Sequence, residues 1–238
     1  MALNRRSFVL GTSLTLLGLT GKALPALSES TETPRSCRPD DALSALEAGN
    51  ARFVTAWRNQ NRAVSRAERA DAMANLWRDN CFLPGVVMSQ GQAPWATILT
   101  CSDSRVAPEW IFDAAPADLF VIRSAGNTAF DEAIASMEYS VSVLGCPLIM
   151  VMGHSSCGAV DAARRREPLT PLLENLVAPI RASLDANADL KEAIQTNARQ
   201  TTIQLTERSE FLAKAATSRR VQIVSSYFDI ASGRVTLL

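Results

Sequence analysis

The chain has a single histidine, His154, and three residues later comes Cys157; a third soft donor, Cys101, lies 53 residues upstream. Two thiolates and one imidazole suit a borderline-soft ion such as zinc. Three protein donors, rather than four, is the count of catalytic zinc sites, which keep one position open. Taken alone, a His-x-x-Cys pair is a weak signal, because a buried cysteine and a hydrogen-bonded core histidine read the same way. Cys101 also opens the run Cys101-Ser102-Asp103-Ser104-Arg105. Asp103 is placed either to serve as a fourth ligand or to accept a hydrogen bond from a metal-bound water. Arg105 can hold its carboxylate through a bidentate pair. Read without context, the two residues are equally an exposed ion pair worth under ~1 kcal/mol. With the only imidazole committed to the metal, none is left to act as general base. The nucleophile is then most simply made by the metal, since zinc brings the pKa of bound water to about 7. That chemistry is hydration or hydrolysis of a small electrophile.

Such donors need rigid supports, and the surrounding pattern supplies them. Ala96 to Thr100 is a short run with β-formers that ends at Cys101, and Pro147 to Met152 is a near-continuous apolar run that ends at Gly153-His154. Further strands are expected at Asp118 to Ile122, Val221 to Ser225 and Arg234 to Leu238. Helical stretches separate them at 130–144, 157–166 and 171–216. Apolar strands alternating with helices predict an α/β fold with a mostly parallel sheet covered by helices. In such folds, sites gather at the carboxyl ends of strands, where Cys101 and His154 both fall. Cys157 then opens a helix, where the dipole favours a thiolate. Ahead of the sheet, a helical arm starts near Asp40, with Leu43, Leu46, Phe53 and Trp57 on one face. A second helical stretch runs from about Ser65 to Trp77.

Composition bounds the partners. The 238 residues are 47% hydrophobic and carry 24 basic and 24 acidic side chains. That is an ordinary globular balance, with no basic footprint for nucleic acid. Five cysteines are too few for a disulfide scaffold. Cys146, next to Pro147 on an apolar strand, reads as a small buried hydrophobe. Cys37 and Cys81 are either a pair or two free thiols. The N-terminus has Arg5-Arg6 ahead of a weakly apolar stretch from Phe8 to Thr20, too short and too polar to span a bilayer. Arg5-Arg6-Ser7-Phe8-Val9 resembles the twin-arginine export motif, with Asn4 where Ser or Thr is more usual. We expect residues 1–27 to be a cleaved signal peptide, 28–39 a linker and 40–238 the catalytic domain, acting in the periplasm. Removing residues 1–26 takes away Arg5, Arg6 and Lys22 and leaves the body at −3.

CSDSRVAPEWIF, VIRSAGN, SMEYSV and VMGHSSCGAV, in that order, resemble the β-class carbonic anhydrases. The early GNARF from Gly49 and the tail SSYFDIASGRVTLL match as well, so the resemblance covers about Asp40 to Leu238. It implies one zinc per chain on Cys101, His154 and Cys157, with Asp103 and Arg105 as the catalytic dyad. It implies that Gln92 hydrogen-bonds substrate and that Phe120 and Tyr139 line an apolar pocket. The backbone N–H of Gly158 would face the substrate oxygen. Gln92, Phe120 and Tyr139 would come from a partner subunit, which implies a homodimer or larger assembly acting on CO2 and bicarbonate. The same analogy places the apolar face of the N-terminal helix on the partner. Two positions depart from the family pattern, Ser124 for Asn and Ala117 for Gly, and Ile98 stands where a bicarbonate-inhibited subgroup has Trp. Ile98 predicts an open site, with Asp103 off the metal. Two other readings stay open: hydrolysis of CS2 or COS on the same scaffold, and a zinc protein without catalysis.

Overall fold

The computed structural model describes residues 32–165, 168–185 and 188–238. The expected signal peptide and the first residues of the linker lie outside them. In chain order the elements are α1 (Ala42–Arg62), α2 (Arg66–Met73), α3 (Gly85–Met88), β1 (Ala96–Cys101), α4 (Pro108–Ile111), β2 (Leu119–Ser124), α5 (Asp131–Ser142), β3 (Leu148–His154), α6 (Gly158–Arg165), α7 (Pro171–Ser183), α8 (Leu190–Arg208), α9 (Glu210–Thr217), β4 (Gln222–Asp229) and β5 (Arg234–Leu237). The helices start where local chemistry lets them. Asp41 caps α1 by accepting from the Ser44 amide, Ser65 and Glu68 form a reciprocal capping box on α2, and Pro108 and Pro171 occupy first-turn positions.

The strands form one sheet in the order β2-β1-β3-β4-β5, parallel throughout except for the antiparallel β5. β1 and β3 are buried along their whole length, as central parallel strands must be when helices cover both faces. The period of two sorts their side chains between two cores. Ile98, Met150 and Met152 face α1 with Leu46 and Phe53, whereas Leu99, Ile149 and Val151 face α5, α8 and α9.

The apolar face of α1 does not await a partner. Leu46 and Phe53 are buried in the chain's own core, Leu43 and Trp57 pack against it, and Trp57 Nε1 donates to the Ile230 carbonyl at 2.9 Å. The expectation that a second subunit covers this face is corrected accordingly. The helix can come this close because residue 49 is glycine: a Cβ there would sit 1.8 Å from the Phe112 carbonyl oxygen. Buried Asp113 then ties the layer together, accepting from Arg52 and from the Trp77 amide.

Residues 32–39, expected as a linker, are tied down. Cys37 is disulfide-bonded to Cys81. Arg35 donates to the Leu144 carbonyl, and one Arg38 nitrogen donates to both Pro94 (2.6 Å) and Gly145 (2.8 Å). These carbonyls lie just ahead of β1 and β3, so the segment straps the N-terminal ends of the central strands. Cys146 is buried beside Thr97, as expected. No helix among the described residues is long and apolar enough to cross a membrane.

Candidate metal centre

Cys101 is the last residue of β1 and His154 the last of β3, adjacent strands in the sheet. Cys157 follows one turn later, and Gly158 begins α6. All three donors are buried, and their Sγ and imidazole nitrogen atoms lie within 4.8 Å of one another. The two sulfurs are 3.9 Å apart. Tetrahedral geometry with Zn–S bonds of about 2.3 Å puts two sulfurs about 3.8 Å apart.

The imidazole is prepared on its far side. Nδ1 lies 3.0 Å from the Ser155 carbonyl oxygen. A carbonyl only accepts, so Nδ1 carries the proton and Nε2 presents its lone pair. That Nε2 is buried without a hydrogen-bond partner. A buried polar atom left so is costly unless a ligand meets it. The thiols interact in the same sense. Their mutual contact lowers the Cys101 pKa and raises that of Cys157. The Gly126 amide donates to the same Cys101 sulfur at 3.3 Å. Gly126 has a φ of +74°, and a Cβ there would come within 2.6 Å of Ile180, so only glycine presents this amide. The donor set therefore fits a soft divalent ion on the structure's own terms.

Asp103 and Arg105 stand at the edge of this cluster. Arg105 donates Nε to Oδ1 at 2.9 Å and a terminal nitrogen to Oδ2 at 2.6 Å, and its backbone amide adds a bond to Oδ1 at 2.9 Å. This clamp holds the Asp103 carboxyl down at about 2. Oδ2 lies 3.9 Å from His154 Nε2. Asp103 is thus next to the donor cluster with both oxygens already engaged.

The other residues singled out in the sequence lie elsewhere. Phe120 pairs in register with Thr97, four residues before Cys101, so about 13 Å of strand separates it from the donors. Its ring meets Tyr139 on α5 at 6.3 Å. Gln92 precedes β1 and is exposed. These three sit toward the N-terminal ends of the strands, away from their own chain's donors. Ser124, at a family departure, bonds through its hydroxyl to Thr128. Ala117 adopts a φ of +78°, which explains why glycine is the usual residue there.

Two supports escaped the sequence reading. Arg123 reaches from β2 to the loop carrying Asp103, and Asn197 of α8 donates to the Gly126 carbonyl at 2.8 Å. A cation inside the run Leu119–Ser124 was the available signal for the first. For the second it was a lone amide on the buried α8 face of Ile194, Ala198 and Thr201.

Comparison with known proteins agrees with this geometry. The family model for carbonic anhydrase matches residues 96–235. A carbonic anhydrase of Mycolicibacterium smegmatis is 33% identical over 208 residues, covering 84% of this chain and 93% of that one. Carbonic anhydrase 2 of Mycobacterium tuberculosis is 34% identical, covering 84% and 92%. Among solved structures, a tetrameric β-carbonic anhydrase of Sordaria macrospora superposes with a TM-score of 0.59 at 27% identity, covering 63% of this chain and 83% of that one. By strand order, motif placement and sequence, this chain belongs to the β-class carbonic anhydrase family.

Proposed function

We propose that the chain is a zinc enzyme converting CO2 and water into bicarbonate and a proton, exported in folded form and active as a homodimer or larger assembly. The observation that carries this reading is the unpartnered Nε2 of His154 facing two thiols beside an arginine-clamped carboxylate. Cys101, His154 and Cys157 would hold the ion, which when bound supplies the Lewis acidity that makes water a nucleophile near neutral pH.

The chain's own groups do the rest. Asp103, ionised at any working pH, can only accept a hydrogen bond. It orients the O–H of the attacking water so that a lone pair faces the carbon. Arg105 engages both carboxylate oxygens and keeps Asp103 out of the donor set. Gly158 would offer its amide to the oxygen on which charge develops. Phe120 and Tyr139 from a second copy would supply apolar walls suited to a nonpolar, linear substrate, with Gln92 as the polar contact. Support for a second copy comes from the β2 side of the sheet. β2 is an edge strand, and Tyr139 (45%) and Val143 (62%) are exposed beside it.

Stopped-flow CO2 hydration on the zinc-loaded mature protein tests the reading. Asp103→Asn and Arg105→Ala should each keep one zinc and lose about 10²-fold or more in rate. Near-normal rates in Arg105→Ala would make the pair merely structural. Turnover of COS or CS2 without CO2 hydration would move the chain to the hydrolase reading. For export, Arg5→Lys with Arg6→Lys keeps the charge but should block periplasmic delivery. Efficient delivery of that variant would reject the twin-arginine route.

A further inference from the structure

The residues that would do chemistry rest on unequal foundations. Cys101 and His154 end fully buried strands, but Asp103 and Arg105 lie between β1 and α4, on a loop that belongs to neither. Ser102, Ser104 and Arg105 are exposed, and burial anchors this loop only at Val106, beyond the pair. Three backbone carbonyls along it, from Cys101 to Val106, converge on one side chain. Arg123 donates Nε to the Cys101 carbonyl at 3.1 Å, and a terminal nitrogen to the carbonyls of Asp103 at 2.7 Å and Val106 at 2.8 Å. The Asp103 carbonyl also accepts from the Val106 amide at 3.0 Å, closing a turn around the guanidinium. Ser102 is pinned separately, its amide donating to the Ser124 carbonyl next to Arg123.

We propose that Arg123 is the positioning residue of the Asp103–Arg105 pair: it sets the turn from which both side chains project, without touching the reacting atoms. The inference deepens the proposed hydration reaction and rests on that reading for its kinetic part. A guanidinium is suited to the task because it offers five donors in a rigid plane and stays charged at all working pH values. One such fork can satisfy three carbonyls at once. A lysine ammonium has three donors on a flexible stem and would reach only part of the set. Methionine would leave the Cys101 and Val106 carbonyls without this donor and the Asp103 carbonyl with the Val106 amide alone, and the turn would loosen. The donor cluster should survive such a change. Cys101 Sγ is held from the other side by the Gly126 amide and by the β1 ladder, neither of which involves the Arg123 side chain.

The test compares Arg123→Met and Arg123→Lys with the zinc-loaded parent by site-resolved amide hydrogen exchange, zinc content and CO2 hydration kinetics. In Arg123→Met the Arg105 and Val106 amides should exchange at least about tenfold faster, while amides of β1 and β3 keep their protection. Zinc should stay at one per chain. The kcat should fall at least about tenfold with KM for CO2 unchanged within about twofold, since a misaimed carboxylate affects the reacting geometry rather than entry of substrate. Arg123→Lys should fall between the two. Unchanged exchange at residues 105 and 106 in Arg123→Met would overturn the proposal, as would a near-parental kcat despite faster exchange. If Arg123→Met does not fold, the same readings on Arg123→Lys decide. Faster loop exchange in a protein whose parent hydrates no CO2 would sustain the positioning role and sink the reaction instead.

Discussion

The two ends of the sheet solve different problems. At the C-terminal ends of β1 and β3, Cys101, His154 and Cys157 converge within one buried cluster. At the N-terminal ends lie Gln92, Phe120 and the strap of residues 35–38, with Tyr139 nearby on α5 and the exposed apolar Val143 just after it. The first end is complete in one chain as a donor set. The second has the pocket residues implied by the family resemblance, but no donors within reach. A parallel sheet keeps the two apart in one chain, and in the assembly proposed above a second copy would bring them together. On the proposed assembly, substitutions at the N-terminal end should cost turnover without touching zinc, because no donor lies there.

The largest expected effect lies at the C-terminal end. Cys157→Ala should drop zinc from one per chain to below about 0.1, while sedimentation still reports the parental assembly. Retained zinc would break the ligand assignment. Next comes the opposite case. If the proposed assembly uses this face, Val143→Asp should weaken self-association about 10²-fold or more and remove most activity while zinc stays bound. A fully active monomer would erase the distinction between the ends. Replacing both Cys37 and Cys81 with Ser should lower stability by about 3–4 kcal/mol, from the loop of some 44 residues that the bond closes, with zinc content unchanged. Ala117→Gly should raise stability by about 0.5–1 kcal/mol by relieving a left-handed alanine, read as a higher melting temperature. The smallest effect concerns Asp229, which accepts from the Ser232 hydroxyl and amide. These bonds lower its pKa in the folded state. The stability it contributes is therefore present above the unfolded value of about 3.9 and is lost as pH falls below it. Asp229→Asn should flatten that part of the acid-unfolding profile.

Much of this was legible in the residues. The central strands were visible because parallel strands buried on both faces leave continuous apolar runs, and Cys101 and His154 were visible because they end those runs. The five strands, the helical stretches between them and burial of Cys146 followed from local pattern. What escaped was long-range. Periodicity showed that the α1 face of Leu46 and Phe53 must be buried, but only the close approach at Gly49 shows that its own chain buries it. The Cys37–Cys81 bond joins positions whose spacing carries no signature. Arg123 and Asn197 act through carbonyl groups, and a sequence does not display where its backbone oxygens point.

The strap has a consequence for the life history of the chain. Its disulfide joins two residues whose Cα atoms stand 5.5 Å apart in the folded chain, with α1 and α2 between them in sequence. On the export route proposed above, the chain reaches that geometry in a compartment that keeps thiols reduced, and meets oxidising conditions later. The two thiols would therefore wait side by side in a finished fold, and their bond would close as the last covalent step. A free-thiol label added at harvest then acts as a passport stamp. If that route holds, molecules labelled at Cys37 and Cys81 would be those yet to cross, and the ratio would measure delivery without any assay of the enzyme.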